Sequence, residues 1–318
     1  MKGPGLLALP PEPAVRRLAL AQLDAASTAS ARFTDRDDAE ALHDFRVALR
    51  RLRSVLRAYA PWYDAVPKNL HKRLRRLAHA TNAARDTEVQ IEWLRRVRPR
   101  LKAGARSGCT WLITRLAKRQ RTANHAVRKL AHKDFAALEP RLRAALRTRI
   151  QGCDAVAGAG VTFAQATDER LSVYCAELAA DLAGIGSAAD REEIHAARIS
   201  GKRLRYLLEP LRGSVSGVAA LVNSMKSLQD RFGELSDRFG MTREIAQAVE
   251  IAGAQTEPVL PGLRTLAVLV ERDTNRRYRD LRARYLGRRA RTLLAPMRAL
   301  SRKLAAANDT KPRRVRLK

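Results

Sequence analysis

The stretch His43 to Tyr59, HDFRVALRRLRSVLRAY, constrains the fold more than any other part of this chain. Successive residues of a helix are turned by about 100°. His43, Arg46, Arg50, Arg53 and Arg57 then fall on one stripe. Phe45, Leu49, Leu52, Leu56 and Tyr59 fall on the stripe beside it. One helix therefore carries a packing seam and, next to it, a row of guanidinium groups led by a histidine. The same design returns at His195 to Leu211, HAARISGKRLRYLLEPL, with His195, Arg198, Lys202 and Arg205 at matching offsets. A basic face used twice calls for a polyanionic partner.

Composition sharpens that requirement. The chain has 318 residues, enough for two ordinary domains or one large one, and 46% of them are hydrophobic, enough for a sizeable core. Lys and Arg number 62 against 32 Asp and Glu, a net charge of +30. Such an excess repels itself in the compact state and draws anions. Most of it is arginine, which suits bidentate recognition of phosphate oxygens. Aromatic residues are only 5%, few for stacking single-stranded bases. Cys109, Cys153 and Cys175 form no CxxC pair and no even set, so they read as idle or buried thiols in a reducing compartment. No apolar run approaches the roughly 18 residues of a membrane span, and the N-terminus is too short and proline-broken for a signal peptide. A soluble cytoplasmic protein is expected.

The chain reads as all-α, with no window of sustained strand alternation. Residues 1–13, rich in Gly and Pro, read as a flexible leader. Helices are expected over Ala14 to Ala31, the stripe segment closed by Pro61, and Lys68 to Val97. Asp35 to Asp38 can cap the stripe helix. A break at Gly104 to Gly108 precedes helices over Thr110 to Lys133 and Asp134 to Ile150. The small, glycine-rich Gln151 to Gly160 is the best internal boundary. Beyond it come Thr162 to Ala183, the second stripe capped by Asp190, Val218 to Ala252, Leu263 to Leu286 and Arg288 to Ala307. Residues 308–318 form a basic tail. The domain thus spans 14–307, with halves at 14–150 and 162–307.

The two stripe helices align as HxxRxxxRRLR and HxxRxxxKRLR, and the helix after each aligns as well. There Arg85-Asp86 meets Ser236-Asp237. Two adjacent elements repeated in the same order argue for a duplicated helical bundle. Its expected form is two similar halves about a pseudo-two-fold axis, with their basic faces joined in one groove or pore.

These residues carry a family resemblance. HxxRVxxRRLRS at His43, RDTEV at Arg85, HxxRIxxKRLRYxxE at His195 and the later LQDRFGELSD resemble the CHAD family, the conserved histidine α-helical domain, over nearly the whole chain. The resemblance implies an all-α fold of two four-helix-bundle-like halves. It also implies binding of inorganic polyphosphate in a basic central cleft and, in some members, localisation to polyphosphate granules. Carried over by motif, it puts His43, Arg46, Arg50, Arg53, His195, Arg198, Lys202 and Arg205 in the site. Arg57 continues the first stripe, and the following helices add Arg73, Arg76 and Lys226. The first half has TNAARD where the second has GELSD, keeping the aspartate without the glycine. The ExExK motif of the triphosphate-tunnel domain found in some members is missing, so that domain's enzyme activity does not transfer.

Other chemistries find little support in the residues. A lone charge row on a helix is usually a solvated face; two rows at matched offsets within a net +30 are better explained by a ligand. His43 and His195 each precede an arginine row by one turn, a setting that His71, His79, His125 and His132 lack. Phosphate contact would favour the charged imidazoles, so binding would weaken as they lose their protons. Asp86, Asp237, Glu88 and Glu209 read as carboxylates that fix neighbouring arginines. No metal-ligand spacing, nucleotide loop or paired nucleophile and base is present, so neither catalysis nor a cofactor is expected. Nucleic acid is the alternative partner, supported by charge alone.

Overall fold

The computed structural model describes residues 5–34, 38–148, 160–254 and 258–306. Every long regular element among them is an α-helix: α1 (Pro11–Ala31), α2 (Ala39–Ala58), α3 (Lys68–Ala80), α4 (Asn82–Val97), α5 (Ala103–Arg147), α6 (Phe163–Ala183), α7 (Arg191–Leu208), α8 (Val218–Ala254), α9 (Leu260–Tyr285) and α10 (Arg288–Ala306). The basic tail and residues 151–159 of the expected boundary lie outside the described residues. No helix among the described residues is long and apolar enough to cross a membrane.

The seam of α2 packs as its spacing requires. Phe45, Leu49 and Leu52 are fully buried, as are Leu56 and Tyr59 within a few percent. Phe45 meets Phe33 and Phe135 edge to face at 5.1 and 5.0 Å. Tyr59 stacks on Phe163 and shares a 2.8 Å hydrogen bond with Thr167, which pins the end of α2 to α6. At the other end Asp38 accepts a bond from Ala41 N at 2.8 Å. This caps an amide that has no partner inside the helix.

Four local expectations are corrected. Residues 5–13 are not a loose leader. Leu6, Leu7 and Leu9 pack against the core, Leu9 O accepts from Phe163 N at 2.7 Å, and α1 already begins at Pro11. Prolines in a first turn give up no hydrogen bond. Gly104 and Gly108 do not break the chain but lie inside α5, which is continuous for 45 residues. A Cβ on Gly108 would stand 2.8 Å from Gly262 C, Leu263 N and Val259 O, so this glycine marks the close crossing of α5 and α9. Conversely, the expected helix from Lys68 to Val97 is divided at Thr81, whose hydroxyl donates to Ala78 O at 2.8 Å. Asp190 does not cap α7 with its side chain; its carboxylate folds back on Gly186 N and Ser187 N, at 2.8 Å each.

The buried side chains form two cores. The smaller one joins α4, the start of α5, the end of α8 and the start of α9, around Leu94, Leu112, Met241 and Leu263. The larger one holds α1, α2, α3, α6, α7 and α10 with the remaining parts of α5, α8 and α9. The long helices therefore run through both cores, and each core draws helices from both halves of the sequence. Within the larger core α2 packs directly on α7, which brings the two basic stripes together.

Candidate functional site: a cationic cluster between α2 and α7

Seam burial turns the neighbouring stripe of α2 toward α7. Arg50 on α2 and Arg198, Lys202 and Arg205 on α7 converge there, all half-buried. Their meeting is visible in the electrostatics of Lys202. Burial first, then repulsion by Arg198, Arg50 and Arg205, push its ammonium down to about 7; Asp237 offers the smallest of the named influences and the only attraction. Burial likewise pushes Arg50 down, with Tyr206 and Glu209 opposing and Arg205 and Arg51 adding to the effect. The Nε atoms of Arg50 and Arg198 are buried with no hydrogen-bond partner among the described residues. Four cations thus crowd together with donors left over.

Two devices hold them there. Tyr206, itself buried, offers its ring to guanidinium groups of both helices, with Arg205 at 4.7 Å and Arg50 at 5.4 Å from its centroid. An aromatic face attracts each cation without neutralising it. Glu209 reaches Arg51 at 2.9 Å and Arg205 at 3.3 Å, bridging the two helices. Gly201 sets the depth of α7: its Cβ position lies 3.1 Å from Leu228 on α8, and Gln229 donates to Gly201 O at 3.0 Å. Ser200-Gly201-Lys202 is accordingly helix interior.

Glu209 and Asp237 offset the cluster only in part, and the carboxylates further along α8 and α9 pair with other arginines. Glu244 pairs with Arg119, and Asp273 with Arg238, Arg276 and Arg277. Glu234 pairs with Arg231 and Arg277, and Asp280 with Arg231 and Arg284.

The remaining candidates divide. Arg53 is half-buried, and burial followed by repulsion from Arg57 and Arg75 pushes it down, so these three form a second cationic group. Arg46 has structural work: its guanidinium donates to Thr81 O at 3.1 Å, at the joint between α3 and α4. His43 and His195 are exposed at the leading ends of their stripes. Arg73 is half-buried, and Arg76 and Lys226 are exposed. No hydrogen bond or ion pair among the described residues joins these last five to the cluster. Asp86 is exposed on α4, while Asp237 is half-buried and acts on Lys202 and Arg238.

Stripe reasoning missed Arg75, Arg51 and Tyr206. Tyr206 could have been found, since it directly follows the basic run KRLR, but nothing in the spacing shows that a guanidinium from another helix will cover its ring. Among the described residues, no group of three or more His, Cys, Asp and Glu side chains is placed to hold a metal ion.

This is an all-helical protein with a half-buried cation cluster, only partly offset by carboxylates, at a helix crossing. The family model of the CHAD domain matches residues 16–246, and the chain belongs to that family. Its fold is similar to the crystal structure of the CHAD domain from the plant Ricinus communis, with a TM-score of 0.70 and 21% identity over 92% of this chain and 93% of that one. No curated protein sequence matches the chain.

Proposed function

We propose that the protein is a non-enzymatic binder of inorganic polyphosphate, held where α2 and α7 cross. The observation that carries this reading is the grouping of Arg50, Arg198, Lys202 and Arg205, with two buried guanidinium Nε atoms unpartnered. A chain of phosphates with about one negative charge each supplies acceptors for the accessible N–H groups of these side chains, each contact a charge-assisted hydrogen bond. Arg53, Arg57 and Arg75 extend the cationic surface along α2 and α3. Arg46, Arg73, Arg76, Lys226 and the two histidines add long-range attraction. The CHAD resemblance supports the same ligand and, with it, recruitment to polyphosphate granules.

Binding of long-chain polyphosphate should relieve self-repulsion and raise the melting temperature of the protein. Affinity should fall steeply with salt as counterion release loses its advantage. Replacing Arg46, Arg50, Arg198 and Lys202 together should abolish retention on polyphosphate while helix content by circular dichroism stays intact. Absence of any thermal shift at low salt, with no retention at physiological salt, overturns the reading. Competition separates the two polyanions: a nucleic-acid binder would stay on DNA or RNA when modest polyphosphate is added. A fluorescent fusion should form foci on polyphosphate granules that vanish in a host lacking the polymer.

A further inference from the structure

An open groove of about 1520 Å³ runs between α6, the C-terminal end of α9 and α10. It shares no residue with the cationic cluster. Gly287, at φ +60, makes the sharp turn that lays α10 beside α6 and so forms the wall of the groove. The floor is apolar, with Leu171 and Leu182 from α6, Leu286 from the turn, and Leu294 and Met297 from α10. Cys175 belongs to it too; burial pushes its thiol up to about 11, so at neutral pH it is a small uncharged side chain. Ala176, Ala179 and Ala183 present an exposed track along α6.

The rim has one sign of charge. Arg279, Arg282, Arg288, Arg289, Arg291 and Arg298 all line the groove and are all exposed. Among the described residues no Asp, Glu or Lys lines the groove with them, and none of the six forms an ion pair. Their neighbours on α9 behave differently: Arg276, Arg277 and Arg284 are each paired with a carboxylate. The acids of α9 thus neutralise arginines outside the groove and leave those at its edge unmatched.

We propose that this groove docks an acidic amphipathic helix of a partner protein. The apolar face of that helix lies on the α6 track and its carboxylates meet the arginine rim. Charge complementarity carries the choice of occupant. A second copy of this chain, at net +30, would set arginine against arginine. The volume exceeds the roughly 300–1,000 Å³ of small-molecule clefts. The walls are helices with their backbone groups paired internally, so an extended strand finds no edge to extend, whereas helix-in-groove docking needs only an apolar floor. The small side chains of the α6 track allow helix axes to approach to about 8–10 Å.

The test uses a designed, fluorescein-labelled peptide with Leu and Ala on one helical face and Glu on the rest, beside a scramble of the same composition. Fluorescence anisotropy is read at physiological salt, where general attraction is screened. The amphipathic peptide should bind about tenfold or more tightly than the scramble. Ala179→Trp, which fills the groove from an exposed position, should weaken it about tenfold, as should the combined reversal Arg288→Glu, Arg291→Glu and Arg298→Glu. Arg50→Met should leave it unchanged. Equal binding of peptide and scramble, or a loss with Arg50→Met but not with the groove variants, overturns the proposal in favour of general charge attraction. Vesicles of phosphatidylglycerol that bind through the groove when the peptide does not overturn it in favour of a membrane. If Ala179→Trp fails to fold, the reversals of exposed arginines decide the question.

Discussion

Polyphosphate binding should weaken as pH rises from about 7 to about 9, and Lys202 should be the cause. In the free protein, burial and three neighbouring guanidinium groups bring its ammonium down to about 7. A polyanion laid among Arg50, Arg198 and Arg205 reverses the sign of the local field and favours the charged lysine. Above pH 7 the bound form then holds a proton that the free form has lost, so binding takes one up. While that difference lasts, affinity falls about tenfold per pH unit, or about a hundredfold at most between pH 7 and pH 9. The stability of the free protein moves the other way. Its folded lysine is depressed below the unfolded value of 10.5, so the unfolded chain binds more protons between about 7 and 10.5 and stability rises with pH across that window. The upper limit is about 1.4 kcal/mol per pH unit, and solvent reaching this half-buried group reduces it. Titration calorimetry at pH 8 in two buffers of different ionisation enthalpy measures the uptake directly. Lys202→Arg keeps its charge throughout and should bind with a flat profile. No proton uptake by the wild type, or the same slope in Lys202→Arg, refutes the reasoning. The slope should survive replacement of both His43 and His195 by glutamine.

Arg50→Met removes a buried cation among like charges, so it should raise the melting temperature of the free protein by the equivalent of about 1–3 kcal/mol while weakening polyphosphate about tenfold. Arg46→Ala should do the opposite to stability, lowering it by about 1 kcal/mol in urea unfolding, because Thr81 O loses its donor. Gly108→Ala should lower the melting temperature by the equivalent of about 1–3 kcal/mol or more, since its Cβ would press on backbone atoms of α9 that have no room to yield. Arg76→Ala and Lys226→Ala should leave stability unchanged, and each should flatten the salt dependence of polyphosphate binding by about one unit of slope or less.

Periodicity made the helical class and the seam of α2 legible, because a buried face repeats with the pitch of the helix whatever it packs against. Phe45, Leu49, Leu52, Leu56 and Tyr59 needed nothing more. The basic stripes were legible for the same reason, and their repetition pointed to a shared anion. What no stripe reveals is which of its members meet. That depends on where α2 crosses α7. The crossing draws Arg50 in beside Arg198, Lys202 and Arg205 and leaves His43, His195 and Arg57 at the exposed ends. It hands Arg46 to a carbonyl of the α3–α4 joint and sets the Tyr206 ring against guanidinium groups from two helices. Glycine showed the same limit. In sequence Gly104 and Gly108 are breakers, since local propensity is all that can be read there. In the structure Gly108 continues a 45-residue helix, because only a residue without a side chain lets α9 approach that closely. Spacing along the chain determines which faces exist; the contacts between helices distant in sequence decide which charges are crowded, and so which can want a partner.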